Sequence, residues 1–288
     1  MSTIAATPAR MATYADYRKQ EPDHVGPHAH TWVTRSANFV IATSEVRPGA
    51  VFERQGRDET FVLIARGSVR IESNGASVLA AAETLTIVPP GAQRIEALAP
   101  GRIAIIATSR ETDLLALAGN AARYRTHPPE VAPLVDWPPP PAGFRLRHYV
   151  LADHARADSN MRLFRSSTLM VNALKKRPVP RSVHHLEPHA HSDFEQASLI
   201  LEGRYIHHLR YPWTADMATW CPDEHIEIGH PSVTIIPAGV VHTSRNIGNE
   251  PGWLIDVFAP PRIDFSLEPG LVCNAHEYPL PPTFSKRP

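Results

Sequence analysis

The chain has 288 residues and a mass of 31.8 kDa, and its 29 Lys+Arg balance 29 Asp+Glu, so the summed charge offers no long-range attraction to nucleic acid or to an anionic membrane surface. That length is ample for two domains, each able to bury its own core. Cys221 and Cys273 are too few for a disulfide framework, the N-terminus lacks the apolar core of a secretory signal, and no apolar run approaches the ~20 residues of a spanning helix, so a cytoplasmic protein with reduced thiols is expected.

Residues 1–30 read as an N-terminal tail. It holds an H-x-H pair, His28 and His30, but this precedes the strand-like text and has no further ligands in reach. From 31 to 108 the sequence breaks into short β-branched runs, "NFVIATS", "FVLIARG", "SVRIES", "TLTIVPPG" and "RIAIIATS", separated by turn residues, with "SNGA" placed for a hairpin. Residues 109–144 change character. Leu114, Leu115, Ala118, Ala121 and Ala122 fall on one helical face with Ser109 as its cap, and the proline-rich "HPPEVAPLVDWPPPPAG" that follows suits neither helix nor central strand. Strand-like text resumes over 145–270 and gives way to a C-terminal tail at 271–288. "ETFVLIARGSVRIE" shares its layout with "EQASLILEGRYIHH", as does "TLTIVPPGAQR" with "SVTIIPAGVVH", which indicates an internal duplication at the scale of a domain.

The second block carries the chemistry. Residues two apart on a strand share a face, so His189 and His191 of "PHAHSDFEQ" aim their imidazoles into one space. Gln196 shares a face with Ser198 and Ile200, while Ala197, Leu199 and Leu201 take the other. His242 of "PAGVVHTSRN" shares a face with Ser244 and Asn246. Three converging imidazoles would repel if protonated and lack partners if dry, and a divalent metal resolves both problems.

With Pro237, Gly239, His242 and Asn246 in one motif, and His189, His191 and Gly203 in another, the chain resembles the cupin superfamily. The resemblance covers nearly the whole chain. It implies an all-β fold of two tandem cupin barrels, a bicupin, joined by a short helix and the proline-rich linker. It also implies one divalent metal per chain on His189, His191, Gln196 and His242, with iron first and Mn, Ni or Zn as alternatives. Where the family usually has Glu, with six residues between it and the glycine at 203, this chain has Gln196; Glu195, one place earlier, is the alternative ligand and would face away if the strand is regular. In the first half, Glu53, Gln55, Thr60 and Arg94 stand where ligands would be, so that barrel is expected to hold no metal.

His185, Glu187, Ser198, Ser244 and Asn246 are candidates for the pocket or for supporting the ligands from behind. His184, His207, His225 and His276 are read as ordinary core histidines. Arg162 and Arg165 are either an anion clamp or surface residues, and the long segment containing Trp213, Trp220 and Cys221 is either a lid or a cover for the other domain. Four protein ligands leave two positions on a six-coordinate ion. The resemblance therefore implies an enzyme acting on a small molecule, with an iron-dependent dioxygenase preferred. A non-redox isomerase, lyase or hydrolase is the alternative, a non-catalytic sensor the third reading, and a homodimer the expected assembly.

Overall fold

In the computed structural model, which describes residues 10–284, the first half forms β1 (Thr13–Asp16), β2 (His24–Gly26), β3 (Ala29–Arg35), β4 (Phe39–Val46), β5 (Val51–Gly56), β6 (Thr60–Arg66), β7 (Ser68–Ser73), β8 (Ala76–Ala81), β9 (Thr84–Val88), β10 (Gly91–Ala97) and β11 (Gly101–Thr108). After the short helix α1 (Thr112–Leu117) come β12 (Arg147–Val150), β13 (Leu163–Arg165), β14 (Met170–Ala173), β15 (Gln196–Glu202), β16 (Arg204–Arg210), β17 (Glu224–Gly229), β18 (Ser232–Ile236), β19 (Val241–Ile247), β20 (Trp253–Phe258) and the helix α2 (Ile263–Leu267). Every strand pairing within the sheets is antiparallel. A seven-stranded sheet, β12-β9-β6-β11-β4-β3-β2, covers a four-stranded one, β5-β10-β7-β8; a six-stranded sheet, β1-β18-β15-β20-β14-β13, covers a three-stranded one, β17-β16-β19.

The central strands of the large sheets are buried on both faces. In β6 and β15 every residue but the last is buried, because one face looks into its own sandwich and the other meets the second sandwich. Phe61, Leu63, Ala197, Leu199 and Leu201 share the cluster between the sandwiches, whereas Val62 and Ile64 belong to the interior of the first. Strands of the small sheets alternate instead, as in β7, where Val69 and Ile71 are buried and their neighbours are not.

Gly67 and Gly203 turn the chain from the large sheet to the small one in each half, at φ of 87° and 77°. A Cβ at either would approach a facing carbonyl, of Pro100 at 2.7 Å or Pro251 at 2.8 Å, so the duplicated glycine is required by space as well as by torsion. The "SNGA" hairpin forms between β7 and β8, with Asn74 and Gly75 at φ of 49° and 79°.

Several boundaries differ from the sequence expectation. Residues 1–30 are not simply a tail: β1 pairs with β18 in the second half's sheet (Thr13↔Ile235), and β2 pairs with β3. In return β12 pairs with β9 of the first half (Arg147↔Ile87), so each half lends a strand to the other's sheet. The described part of 271–288 is also packed. Tyr278 is fully buried, and its hydroxyl donates to Glu59 at 2.7 Å. Helix α1 is shorter than its apolar face suggested; Glu111 rather than Ser109 stands at its N-cap, and Ala121–Tyr124 form a separate 3-10 turn. Among the described residues no helix is long and apolar enough to cross a membrane.

Candidate metal centre

The second sandwich is open at the end where β15 and β19 begin. His189 and His242 form an isolated antiparallel bridge there, each backbone N–H donating to the other's carbonyl, at 3.1 and 2.8 Å. The H-x-H segment therefore lies across the start of β19. One ring nitrogen from each of His189, His191 and His242 lies within 4.8 Å of the other two. Gln196 Oε1 stands 2.9 Å from His191 Nε2 and 3.3 Å from His242 Nε2, close to the ~3.0 Å between neighbouring ligands on an octahedral ion with bonds of ~2.1 Å.

Hydrogen bonds fix which atoms face this space. His242 Nδ1 donates to Val240 O at 2.9 Å, and His189 Nδ1 to Glu187 O at 2.9 Å, which leaves both Nε2 atoms as bare lone pairs in the neutral rings. Gln196 Nε2 donates to Asp256 Oδ1 at 2.8 Å, and that contact orients the amide so that Oε1 faces the histidines. His242 Nε2 and Gln196 Oε1 are then two acceptors 3.3 Å apart with no proton between them. A cation removes that conflict. Burial pulls the His191 imidazole down to about 3, against the Gln196 contact, and that of His242 down to about 4, so both rings are neutral and free to donate. The donor set fits a divalent first-row metal, three imidazoles and one amide oxygen, with no charge of its own.

Glu195 is turned away. Its carboxylate accepts Ala37 N–H at 2.7 Å and Tyr124 O–H at 3.0 Å, with Arg10 at 3.6 Å, and it ties the second sandwich to the first. The alternative ligand is thereby placed outside the site.

Two residues deeper, a polar layer underlies the four groups. Thr234, Ser198, Asp256 and Asn172 are successive neighbours across β18, β15, β20 and β14, and His207 and Ser244 pair across β16 and β19, joined by a 2.7 Å hydrogen bond. Burial pushes the Asp256 carboxyl up to about 7, while Ser198, Arg262, Asn172 and Gln196 favour its charged form.

The first sandwich lacks both layers. Counted from Gly67 and from strand pairing, the places of His189, His191, Gln196 and His242 are taken by Arg54, Gly56, Thr60 and Gln93. Glu53, Gln55 and Arg94 are one residue out of register and face outward, where Arg94 pairs with Glu53, Glu72 and Glu96. Gln93 instead turns in and donates to Pro89 O at 3.0 Å, and Arg54 is held by Glu111 and Asp113. The polar layer is replaced by Thr86, Val62, Ile105, Ala42, Ile71 and Ile95, only the first of which is polar.

No protein-family model and no curated protein matches the chain. Solved structures do. The formate complex of Lactobacillus farciminis oxalate decarboxylase is 16% identical over 89% of this chain and 88% of that one, with a TM-score of 0.58. AerE from Microcystis aeruginosa is 12% identical over 84% and 97%, at 0.54, and a variant of Bacillus subtilis oxalate decarboxylase OxdC is 18% identical over 89% and 79%, at 0.57. The chain has the cupin fold. At such identities the likeness is one of fold, and the site must be argued from its own residues.

Within this fold the remaining candidates separate. His185 and Glu187 are exposed at the mouth of the cavity; Glu187 pairs with Arg181 at 3.3 Å, and only its backbone carbonyl supports a ligand. Ser198 and Ser244 belong to the polar layer. Asn246 clamps the cavity rim by accepting Arg181 N–H and donating to Val179 O, each at 2.9 Å. Of the four presumed core histidines only His207 is buried; His184, His225 and His276 are exposed. Arg162 and Arg165 are neither clamp nor surface. Both are buried, Arg162 donating to the carbonyls of Leu151, Ala173 and Leu174, and Arg165 to those of Tyr278 and Pro279. Trp213 and Trp220 stack on each other at 4.3 Å and do not line the cavity, while Cys221 packs beside Ala12 and Tyr211. His28 and His30 are exposed and remote from the site.

The sequence reading missed Asp256 and Arg262. No motif marks either one. Arg262 follows β20 and sits 3.7 Å over the Phe265 ring and 5.1 Å over that of Phe258; Nε and Nη2 donate to Asp264, leaving Nη1 without an acceptor among the described residues. It lines the cavity beside the histidines.

Proposed function

We propose that this protein is a metal-dependent enzyme of the bicupin type whose second barrel alone holds the ion, acting on a small organic anion. The observation that carries the reading is the convergence of His189, His191, Gln196 and His242 in the wall of a cavity of about 770 Å³. Cavities of ~300–1,000 Å³ suit small ligands, and this one exceeds the needs of a two-carbon acid. Four cationic side chains line it, Lys175, Arg177, Arg181 and Arg262, against the acids Asp158, Glu187 and Asp256. A divalent ion on neutral ligands adds two further positive charges, so anions are favoured.

When bound, the metal would supply Lewis acidity or, as iron, one-electron chemistry with dioxygen. The chain's own residues do the rest. His191 and His242 stay neutral through burial, Gln196 presents oxygen because its Nε2 donates a hydrogen bond to Asp256, and Arg262, already fixed by Asp264 and its aromatic neighbours, offers Nη1 to a substrate carboxylate. Oxygen-dependent cleavage by iron is the first reading for such a site. Non-redox lyase chemistry is the second, favoured by neighbours described as oxalate decarboxylases with Mn(II) centres.

The test is turnover of a panel of small carboxylates, oxalate included, by protein loaded with Fe(II), Mn(II) or Zn(II), with and without oxygen. Metal-dependent turnover confined to air supports the first reading, and equal turnover without air supports the second. No metal-dependent turnover of any anion would contradict both. Once a substrate is in hand, Arg262→Gln should raise KM roughly 10- to 100-fold, as expected for a lost hydrogen bond to a charged group, and Arg262→Lys should not fully restore it.

A further inference from the structure

We propose that Asp256 is the positioning residue of the metal centre: it dictates which end of the Gln196 amide faces the ion. The inference rests on the metal-binding reading above. Its geometry is independent of any relative.

An amide presents two nearly isosteric ends, and only the oxygen can bind a cation. At Gln196 the choice is made by a single strong acceptor. Asp256 Oδ1 lies 2.8 Å from Nε2, while the other contact of that nitrogen, Ser198 Oγ, is at 3.5 Å and is itself turned toward Asp256. Without Asp256 the amide could rotate and donate to His242 Nε2, a bare acceptor 3.3 Å from Oε1, which would occupy two metal-binding atoms with one hydrogen bond. The carboxylate is therefore what keeps the site open to a cation.

The surroundings support this assignment. Asp256 is deep in the barrel yet reachable from the cavity, and Asn172 Nδ2 approaches its other oxygen at 3.5 Å. Arg262 is the cation near it, and Arg262 is already engaged by Asp264. Asp256 thus has no ion-pair partner of its own among the described residues. In the first sandwich the same place on the corresponding strand is Ile105, and the place of Gln196 is Thr60. Carboxylate and amide occur together in one barrel and are absent together from the other. Exchanging the pair's chemistry should preserve it: a Glu at 196 would give the metal an anionic oxygen, and an Asn at 256 would donate to the second oxygen of that Glu.

The experiment is calorimetric titration of Mn(II) alone into the metal-free full-length chain, for wild type, Asp256→Asn, Gln196→Glu and the double variant, with melting temperatures of the same samples. Asp256→Asn replaces an acceptor-only group with an amide that can turn either end to Gln196, so the amide orientation is no longer dictated and Mn(II) binding is expected to weaken about 10- to 100-fold. The double variant should return to within a few-fold of wild type. Gln196→Glu alone sets two carboxylates face to face, so its metal-free form should melt lower than wild type, and adding Asp256→Asn should raise the melting temperature again; this arm holds even if Asp256→Asn alone folds poorly. Wild-type affinity in Asp256→Asn, or a double variant no better than the worse single in both measurements, would overturn the proposal. A wild-type chain that binds no Mn(II), Fe(II) or Zn(II) would overturn the metal reading itself and the proposal with it.

Discussion

Replacing His242 with Ala should abolish stoichiometric metal binding and leave the β-sheet circular dichroism of the protein in place. The ring is buried and contributes one of four converging donors, with its Nδ1 committed to Val240 O and its Nε2 aimed at Gln196 Oε1. Losing it removes a ligand outright, so the affinity should fall by more than the roughly 100-fold that bounds the loss of a ligand's supporting partner. The core stays intact because the cluster between the sandwiches and the interior of the first one contain none of the four groups. Metal analysis and circular dichroism on one sample decide the matter. Full retention of metal would remove His242 from the site.

Glu195 should behave in the opposite way. Glu195→Ala leaves Ala37 N–H and Tyr124 O–H without their acceptor at a buried junction and Arg10 without its ion pair, at a cost of about 2–6 kcal/mol if each of the two stranded donors costs ~1–3 kcal/mol. Glu195→Gln keeps one acceptor oxygen and should cost less. In both variants the metal content should stay at the wild-type level, because the side chain points between the sandwiches. Denaturant midpoints together with elemental analysis separate the effects, and loss of metal at wild-type stability would make Glu195 a ligand after all.

The contrast between these two neighbours was legible in the sequence because alternation along a strand is a local rule. The motif, with six residues between Gln196 and Gly203, picks out Gln196, alternation with Ser198 and Ile200 puts it on the inner face, and the structure has it there, since β15 runs without a bulge from Gln196 to Ile200. The hairpin at Asn74–Gly75 and the duplicated glycines at 67 and 203 were legible for the same reason. What was hidden depends on pairings between distant segments. Asp256 lies 60 residues from Gln196 in the chain, and only the β15–β20 register brings it beneath that amide. Counting from the P-x-G turn put Arg94 in the place of His242, but β10 enters its sheet one residue earlier in phase, so Gln93 turns inward and Arg94 outward. The exchange of β1 and β12 between the sheets, and the carbonyl partners that bury Arg162 and Arg165, likewise have no local signature.

The central claim is that one barrel binds a metal and the other cannot. It is tested most directly by elemental analysis of protein purified without chelators and then reconstituted with a single divalent metal. The account predicts one ion per chain for the wild type and none for His242→Ala. A ratio near two would show that the pairing of Arg54 with Glu111 and Asp113 does not exclude a metal from the first barrel, and a ratio near zero in the wild type would show that His189, His191, Gln196 and His242 converge for some purpose other than holding an ion.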